Sequence, residues 1–337
     1  MKFFLRALLF IVALVAGIGY LLPRHIRVER SITVSAPPAV VYAQFAGFRQ
    51  FNKWSPWAEL DPKTVYTFDG PETGAGAHMT WKSPMKNVGA GEQKIVEAKP
   101  YEYVKTDINF GEQGVAQSEA RFAAADSGTQ VTWSFTSDLG GNPIVHYFGL
   151  MIPGAVGRDY DRGLMRLKAL VEALPKVDYS DVTIERVDTE ARNIAFVATA
   201  STTDPGDIAR AIGAAYGQIG LFLKAGGLNQ AGAPLTITRK YDAAGYAFDA
   251  AIPVDRLPTS LVPAESPVQV RQTYAGPALR VVHTGSYRNL HATYEKLMAY
   301  AAVNGYETGG DPWEVYASDP GNTPEEQLKT EIYLPVK

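Results

Sequence analysis

The 337-residue chain contains no cysteine, which excludes disulfides, thiol nucleophiles and cysteine-based metal sites while leaving the compartment open. It also lacks an excess of either charge, with 32 Lys and Arg against 35 Asp and Glu and a net charge of −3. No Lys/Arg cluster lies outside the N-terminal region and no helix-turn-helix segment is visible, so nucleic acid is not an expected partner. No oxyanion motif, metal-ligand spacing or phosphate loop is present, and His78 and His146 stand isolated. Neither a metal nor a cofactor is therefore expected. What is present is a globular composition, 46% hydrophobic and 20% charged, in a chain long enough for two cores and an extra segment.

Long apolar runs are also scarce, with one exception at the start. Ala7 to Leu22 is uncharged, and Phe3 to Leu5 extend the run past Arg6, whose long side chain can reach the headgroups. Residues 1–26 are expected to form a single-pass N-terminal transmembrane helix. The competing reading is a cleaved signal peptide with Ala16 at the cleavage site, but Leu14 sits two residues before it and the apolar run continues beyond. Lys2 and Arg6 precede the run while Arg24, Arg27 and Arg30 follow it, so the positive-inside count does not choose a side. The soluble domains are placed on the periplasmic side as a working expectation only.

Residues 27–175 alternate in polarity over a series of short segments. A strand through Val34 leads into a short helix with Pro38 in its first turn. Alternating segments then run Thr64 to Phe68, Gly76 to Lys82, Gly91 to Lys99, Tyr101 to Phe110, Gln117 to Ala124 and Thr129 to Asp138. Leu164, Leu167, Leu170, Val171 and Leu174 fall on one stripe of a closing helix over Asp159 to Leu174. The pattern predicts a curved antiparallel sheet gripping a helix.

After the short linker Pro175-Lys-Val-Asp178, residues 180–337 contain an internal repeat. Tyr246-Ala-Phe-Asp-Ala-Ala-Ile-Pro-Val254 matches the end of the chain, with Pro253-Val254 on Pro335-Val336 and Asp249 on Glu331. Upstream, the stretch from Tyr216 to Gly227 matches Tyr294 to Gly305, and both read as helices ended by glycine. The unit is strand, helix, strand, strand, used twice and joined by the Pro-rich stretch Asp255 to Pro267. In the last strand Leu328, Thr330, Ile332, Leu334 and Val336 alternate with Lys329, Glu331 and Tyr333, so a carboxylate beside a phenol lies opposite the apolar face. The expected fold class is α+β, with a transmembrane helix, a helix-grip domain and a duplicated domain.

Two resemblances follow from these residues. Val28-Glu-Arg-Ser-Ile-Thr-Val-Ser-Ala-Pro-Pro38, Trp54-Ser-Pro-Trp57 and the order of elements make residues 27–175 resemble the START-like SRPBCC superfamily, in its polyketide cyclase/dehydrase-type members. That resemblance implies a cavity between sheet and final helix for an apolar ligand, with Trp54, Trp57, Trp81, Trp133 and Tyr103 as candidate lining. Aromatic residues at strand positions are more often plain core. His283-Thr-Gly-Ser-Tyr287, Trp313-Glu-Val-Tyr316 and Thr330-Glu-Ile-Tyr-Leu-Pro-Val336, with the duplication, make residues 180–337 resemble the GyrI-like effector-binding domain, a small-molecule module also found behind some bacterial transcription activators. The resemblance implies a saddle whose concave side holds a lipophilic, often cationic molecule. It assigns Glu331 as the ligand carboxylate and Tyr316 and Tyr287 as aromatic walls, with Tyr333, Trp313 and Asp249 as further additions.

The leading functional reading is a membrane-anchored, non-enzymatic binder of hydrophobic or cationic small molecules, with one pocket per domain. Its rivals are a hydrolase of small electrophilic compounds with Glu331 as general base, for which no second catalytic group is visible, and a lipid-handling protein.

Overall fold

The computed structural model describes residues 2–86, 88–111, 114–258 and 262–337. The chain divides into two compact units at Asp178/Tyr179. Part of the Pro-rich join, residues 259–261, lies outside the described residues.

The first unit opens with helix α1 (Lys2–Leu21), the expected apolar run. The expected transmembrane helix is not supported: among the described residues no helix is long and apolar enough to cross a membrane. α1 as a whole rises about 30 Å, of which the unbroken uncharged part from Ala7 to Leu21 accounts for about 22 Å, Arg6 interrupting the run.

Seven antiparallel strands follow: β1 (His25–Val34), β2 (Val65–Asp69), β3 (His78–Lys82), β4 (Ala90–Lys99), β5 (Tyr103–Asn109), β6 (Val115–Ala125) and β7 (Gly128–Asp138). Their order in the sheet is β1-β7-β6-β5-β4-β3-β2. Between β1 and β2 lie α2 (Pro38–Ala43) and α3 (Phe48–Trp54); after β7 come α4 (Pro143–Gly149) and α5 (Ile152–Glu172). The turn between β6 and β7 requires glycine at 128, where φ is +134° and a Cβ would come within 2.2 Å of the Val34 carbonyl oxygen.

The core of this unit is aromatic. Trp133 on β7 stacks on Tyr160 of α5 at 3.7 Å, and Trp54 meets Trp133 at 5.2 Å and Phe45 at 4.7 Å. Each buried polar atom on these rings is satisfied: the Trp54 indole donates to the Gln44 carbonyl at 3.0 Å, and the Trp133 indole donates to Ser118 Oγ at 2.8 Å.

The second unit is the duplication in three dimensions. Its first copy is β9 (Asn193–Ser201), α6 (Pro205–Gly226), β10 (Leu235–Asp242) and β11 (Gly245–Pro253); its second is β13 (Gly276–Thr284), α7 (Leu290–Asn304), β14 (Trp313–Tyr316) and β15 (Lys329–Pro335). With β8 (Ile184–Thr189) and β12 (Gln269–Gln272) they form one eight-stranded sheet in the order β12-β9-β11-β10-β14-β15-β13-β8. The leading strands are exchanged, since β8 precedes the first copy but pairs with β13 of the second, and β12 precedes the second but pairs with β9 of the first. The copies meet where β10 pairs antiparallel with β14.

Helix limits follow local chemistry. Asp204 caps α6 by accepting from the N–H groups of Gly206 and Asp207, Pro205 occupies the first turn, and both helices end on left-handed glycines, Gly227 and Gly305. Ala215, Ile219 and Leu223 of α6 pack on Val197, Phe248 and Ala250, while Leu297 and Ala301 of α7 pack on Leu279, Val281, Ile332 and Leu334. Both helices therefore cover the same face of the sheet.

If Trp133 is a packing residue, Trp133→Ala should lower the stability of the first unit by about 3–5 kcal/mol, the cost of emptying a large aromatic site. Chemical denaturation followed by circular dichroism checks this. An unchanged midpoint would return the ring to the ligand-lining role.

Candidate functional site

At the seam between copies, on the helix-covered face, Thr236 of β10 lies directly opposite Glu314 of β14. Both are buried, Thr236 fully and Glu314 to 8% exposure. The Glu314 carboxylate accepts from two phenols, Tyr294 of α7 on Oε1 and Tyr316 of its own strand on Oε2, each at 3.0 Å. The Tyr316 hydroxyl also lies 3.0 Å from Thr236 Oγ1, and its ring meets Tyr287 edge-on at 5.7 Å. Tyr216 of α6 donates to the Leu235 carbonyl at 3.2 Å, and the Tyr246 hydroxyl lies 3.1 Å from Thr238 Oγ1. Five phenols thus surround one carboxyl group.

The electrostatics follow from burial. Desolvation pushes the Glu314 carboxyl above its ordinary range, although the Tyr294 and Tyr316 hydrogen bonds work against the shift. Burial, then the nearby Glu314 charge, raises Tyr216, Tyr294 and Tyr316, and pushes Tyr246 up to about 12. Tyr287 moves in the same direction for the same reasons. Among the described residues no Lys, Arg or His forms an ion pair with Glu314. One further polar atom here lacks a partner: Thr330 Oγ1, fully buried on β15 directly across from Tyr316.

Glu331 and Asp249, the carboxylates paired by the repeat, both lie on the opposite face of the sheet and both hold arginine. Asp249 accepts from Arg239 and from Arg271, each at 2.7 Å, and Glu331 accepts from Arg280 at 2.6 Å and from the Tyr333 hydroxyl at 2.7 Å. Burial would raise the Glu331 carboxyl, but Arg280 and Tyr333 together hold it below its ordinary value. Trp313 belongs to this face as well, stacked on Tyr333 at 4.8 Å with the rings 4° from parallel. The structure therefore brings Tyr316 and Tyr287 together around Glu314, and sets Glu331, Tyr333, Trp313 and Asp249 apart from them. Glu314 went unselected in the sequence although it sits inside Trp313-Glu-Val-Tyr316. The signal that finds it is the helix repeat, which aligns Tyr216 with Tyr294 and, carried forward, Thr236 with Glu314.

In the first unit, Trp54, Trp57 and Trp133 converge, with Trp57 5.9 Å from Trp133 and 6.1 Å from Tyr160. Their rings fill the space under α5. Trp81 lies apart, against Phe110 at 6.0 Å, and Tyr103 donates to Glu97 under the Arg121 guanidinium. An open cleft of this unit, about 1040 Å³, contains none of the five rings. Arg27, Thr136, Gln117, Asp107, Lys94, His78 and Asp69 follow one another from strand to strand across it as a single cross-strand row. His78 lies 2.9 Å from Asp69 and 3.3 Å from Glu92, and the Asp69 contact first, then Glu92, raises its pKa against the opposing effect of burial.

A helix-grip unit followed by a duplicated sheet built around a buried carboxyl defines a two-unit α+β chain of the small-molecule-binding class. Residues 25–172 match the family model described as polyketide cyclase / dehydrase and lipid transport, and residues 182–337 match the GyrI-like small molecule binding domain, in the order expected from the sequence. No curated protein matches the chain. Solved structures similar to it include the EcmrR C-terminal domain, at 19% identity and a TM-score of 0.42 over 47% of this chain and 98% of that one. Others are a protein of Chromobacterium violaceum, at 21% and 0.33 over 44% and 99%, and a hydrolase from Listeria innocua, at 18% and 0.33 over 46% and 92%. Similarity at this level carries no argument about mechanism.

The two carboxylates should respond to pH with opposite signs. Glu314, raised above the ordinary 4.5, contributes stability that is complete below that value and is lost as pH rises through its folded pKa. Glu331, held below 4.5, contributes stability that is present above that value and is lost as pH falls through its folded pKa. At neutral pH, Glu314→Gln should therefore raise the melting temperature of the ligand-free chain. Glu331→Gln should lower its stability by no more than about 1 kcal/mol, the scale of a solvent-screened ion pair. Melting curves across pH check both signs, and a loss of stability on Glu314→Gln at neutral pH would contradict the raised pKa.

Proposed function

We propose that the chain is a small-molecule-binding protein whose second unit takes a lipophilic cation at Glu314, with α1 attaching the chain to a membrane. The observation that carries this reading is a buried carboxylate held by two phenols and, among the described residues, paired with no cationic side chain. A charge in that position is costly unless it is paired, so the site is satisfied either by a proton or by a cation supplied from outside. The rings of Tyr287, Tyr316 and Tyr294 add cation–π attraction of about 0.5–2 kcal/mol per contact. The partnerless hydroxyl of Thr330 gives a ligand one further polar contact. The five candidate rings of the first unit do not line its open cleft, so the ligand reading is placed on the second unit.

A cation and a proton compete for the same carboxyl group. Binding of a permanently charged organic cation should therefore release a proton, and its affinity should fall as pH drops through the folded pKa of Glu314. Glu314→Gln keeps the shape, and should weaken binding of the cation by about 1.5–3 kcal/mol, the worth of a hydrogen bond to a charged group. A neutral ligand of matched shape should be affected much less, and Glu331→Gln should leave both affinities unchanged. Calorimetric titration of the three proteins with the matched pair decides the matter. Equal losses for the two ligands, or a larger effect at Glu331, would sink the assignment to Glu314, while lost turnover with binding intact would make Glu314 a general base.

A further inference from the structure

The short helix α4 contacts α1 through side chains that reach α1's backbone. The Tyr147 hydroxyl donates to the Val15 carbonyl at 2.7 Å, and the buried His146 places Nδ1 2.8 Å from the Gly19 carbonyl oxygen and Nε2 2.9 Å from that of Gly140. Gly19 permits the approach, since a Cβ there would lie 2.5 Å from the Pro143 carbonyl oxygen. Asn142 caps α4 by accepting from the Ile144 N–H at 3.0 Å. The position of α4 beside the end of α1 is thus fixed by named contacts.

Held there, α4 and the residues after it present bare apolar surface. Ile144, Phe148, Leu150 and Met151 are exposed, Phe148 to 65% and Met151 to 72%. From Pro143 to Ile152 the sequence carries no Asp, Glu, Lys or Arg. This surface continues that of α1, where Leu14, Val15, Ile18 and Leu21 are also exposed. A patch of this kind marks an interaction site.

We infer that α4, with Leu150 and Met151, is a second membrane-contacting element that enters the bilayer interface beside α1. The inference rests on the proposed attachment of α1 to a membrane. A lipid surface is the occupant because of what borders the patch along the chain. Tyr20, 68% exposed, stands near the end of the apolar run, and past Leu22 come Arg24 and Arg27, which pair with Asp138 and Glu29 yet keep more than half of their side chains exposed, so a phenol and solvent-facing cations border the apolar surface as they border a bilayer. The arrangement also adds the apolar area of α4 to that of α1 at one surface.

The absence of native cysteine permits a direct test. Phe148→Cys and Met151→Cys are made separately in the full chain, labelled with a polarity-sensitive fluorophore, and mixed with phosphatidylcholine/phosphatidylglycerol vesicles that carry or lack spin-labelled acyl chains. Asp126→Cys, on the turn between β6 and β7, is the control. The expected result is a blue-shifted emission at 148 and 151, quenched by the spin-labelled lipid several-fold more strongly than at 126. If the chain floats with the vesicles while both positions stay water-exposed, attachment through α1 stands and the role of α4 is refuted. If the chain fails to float, both fall. Quenching by a label on a second copy of the chain, and not by lipid, would also overturn the inference by making the surface an interface between copies.

Discussion

A carboxyl group taken out of water must be paired, hydrogen-bonded or protonated, and the second unit is arranged around that requirement. On one face of its sheet, Asp249 and Glu331 are each met by arginine, at 2.6–2.7 Å. On the other, Glu314 is met, among the described residues, by the phenols of Tyr294 and Tyr316. A phenol donates a hydrogen bond but brings no charge, so it stabilises the carboxylate without neutralising it. Arginine-paired and phenol-held carboxyl groups are thereby separated by the thickness of one sheet.

The duplication explains why the phenol-held group lies at the centre. Each copy covers its strands with one helix, and the copies join through β10 and β14. Tyr216 and Tyr294 hold matching places on α6 and α7, and both direct a hydroxyl to this seam, one to the Leu235 carbonyl and the other to Glu314. Exchange of the leading strands β8 and β12 ties each copy to the other at the outer edges as well. A site at the seam draws walls from both copies, which one copy alone does not supply.

Much of this architecture was legible in the sequence, because alternation and glycine stops are local signals. Strand β3 falls on His78–Lys82, inside the alternating segment Gly76 to Lys82, and α6 and α7 end on the glycines that match in the repeat. Sidedness was harder to read. The Pro-Val strand aligns two carboxylates across the repeat, and their alternation against the apolar stripe places them together, but alternation does not say which face carries the binding chemistry. Glu331 was drawn out by its place in that pattern, whereas Glu314 breaks the rule that helix-covered positions are apolar. A charged residue in a buried strand position is the stronger signal, because nothing local compensates its cost. In the first unit the limit was different: Trp54, Trp57 and Trp133 were legible as a group, but whether rings line a cavity or fill it depends on how closely Tyr160 and Phe45 approach them.

The seam also shows why the repeat is imperfect where it matters. Equivalent positions in the two copies, 236 and 314, face each other across antiparallel strands, at the distance where side chains on one face interact directly. Two glutamates there would place like charges together in a dry site, and one would be forced to hold a proton. Threonine at 236 removes that conflict. Its hydroxyl instead lies 3.0 Å from that of Tyr316, whose own proton goes to Glu314, so the second copy's carboxyl is ordered by a polar group from the first. Symmetry brings positions 236 and 314 face to face, and its breaking at that one pair leaves a single buried carboxyl group at the seam.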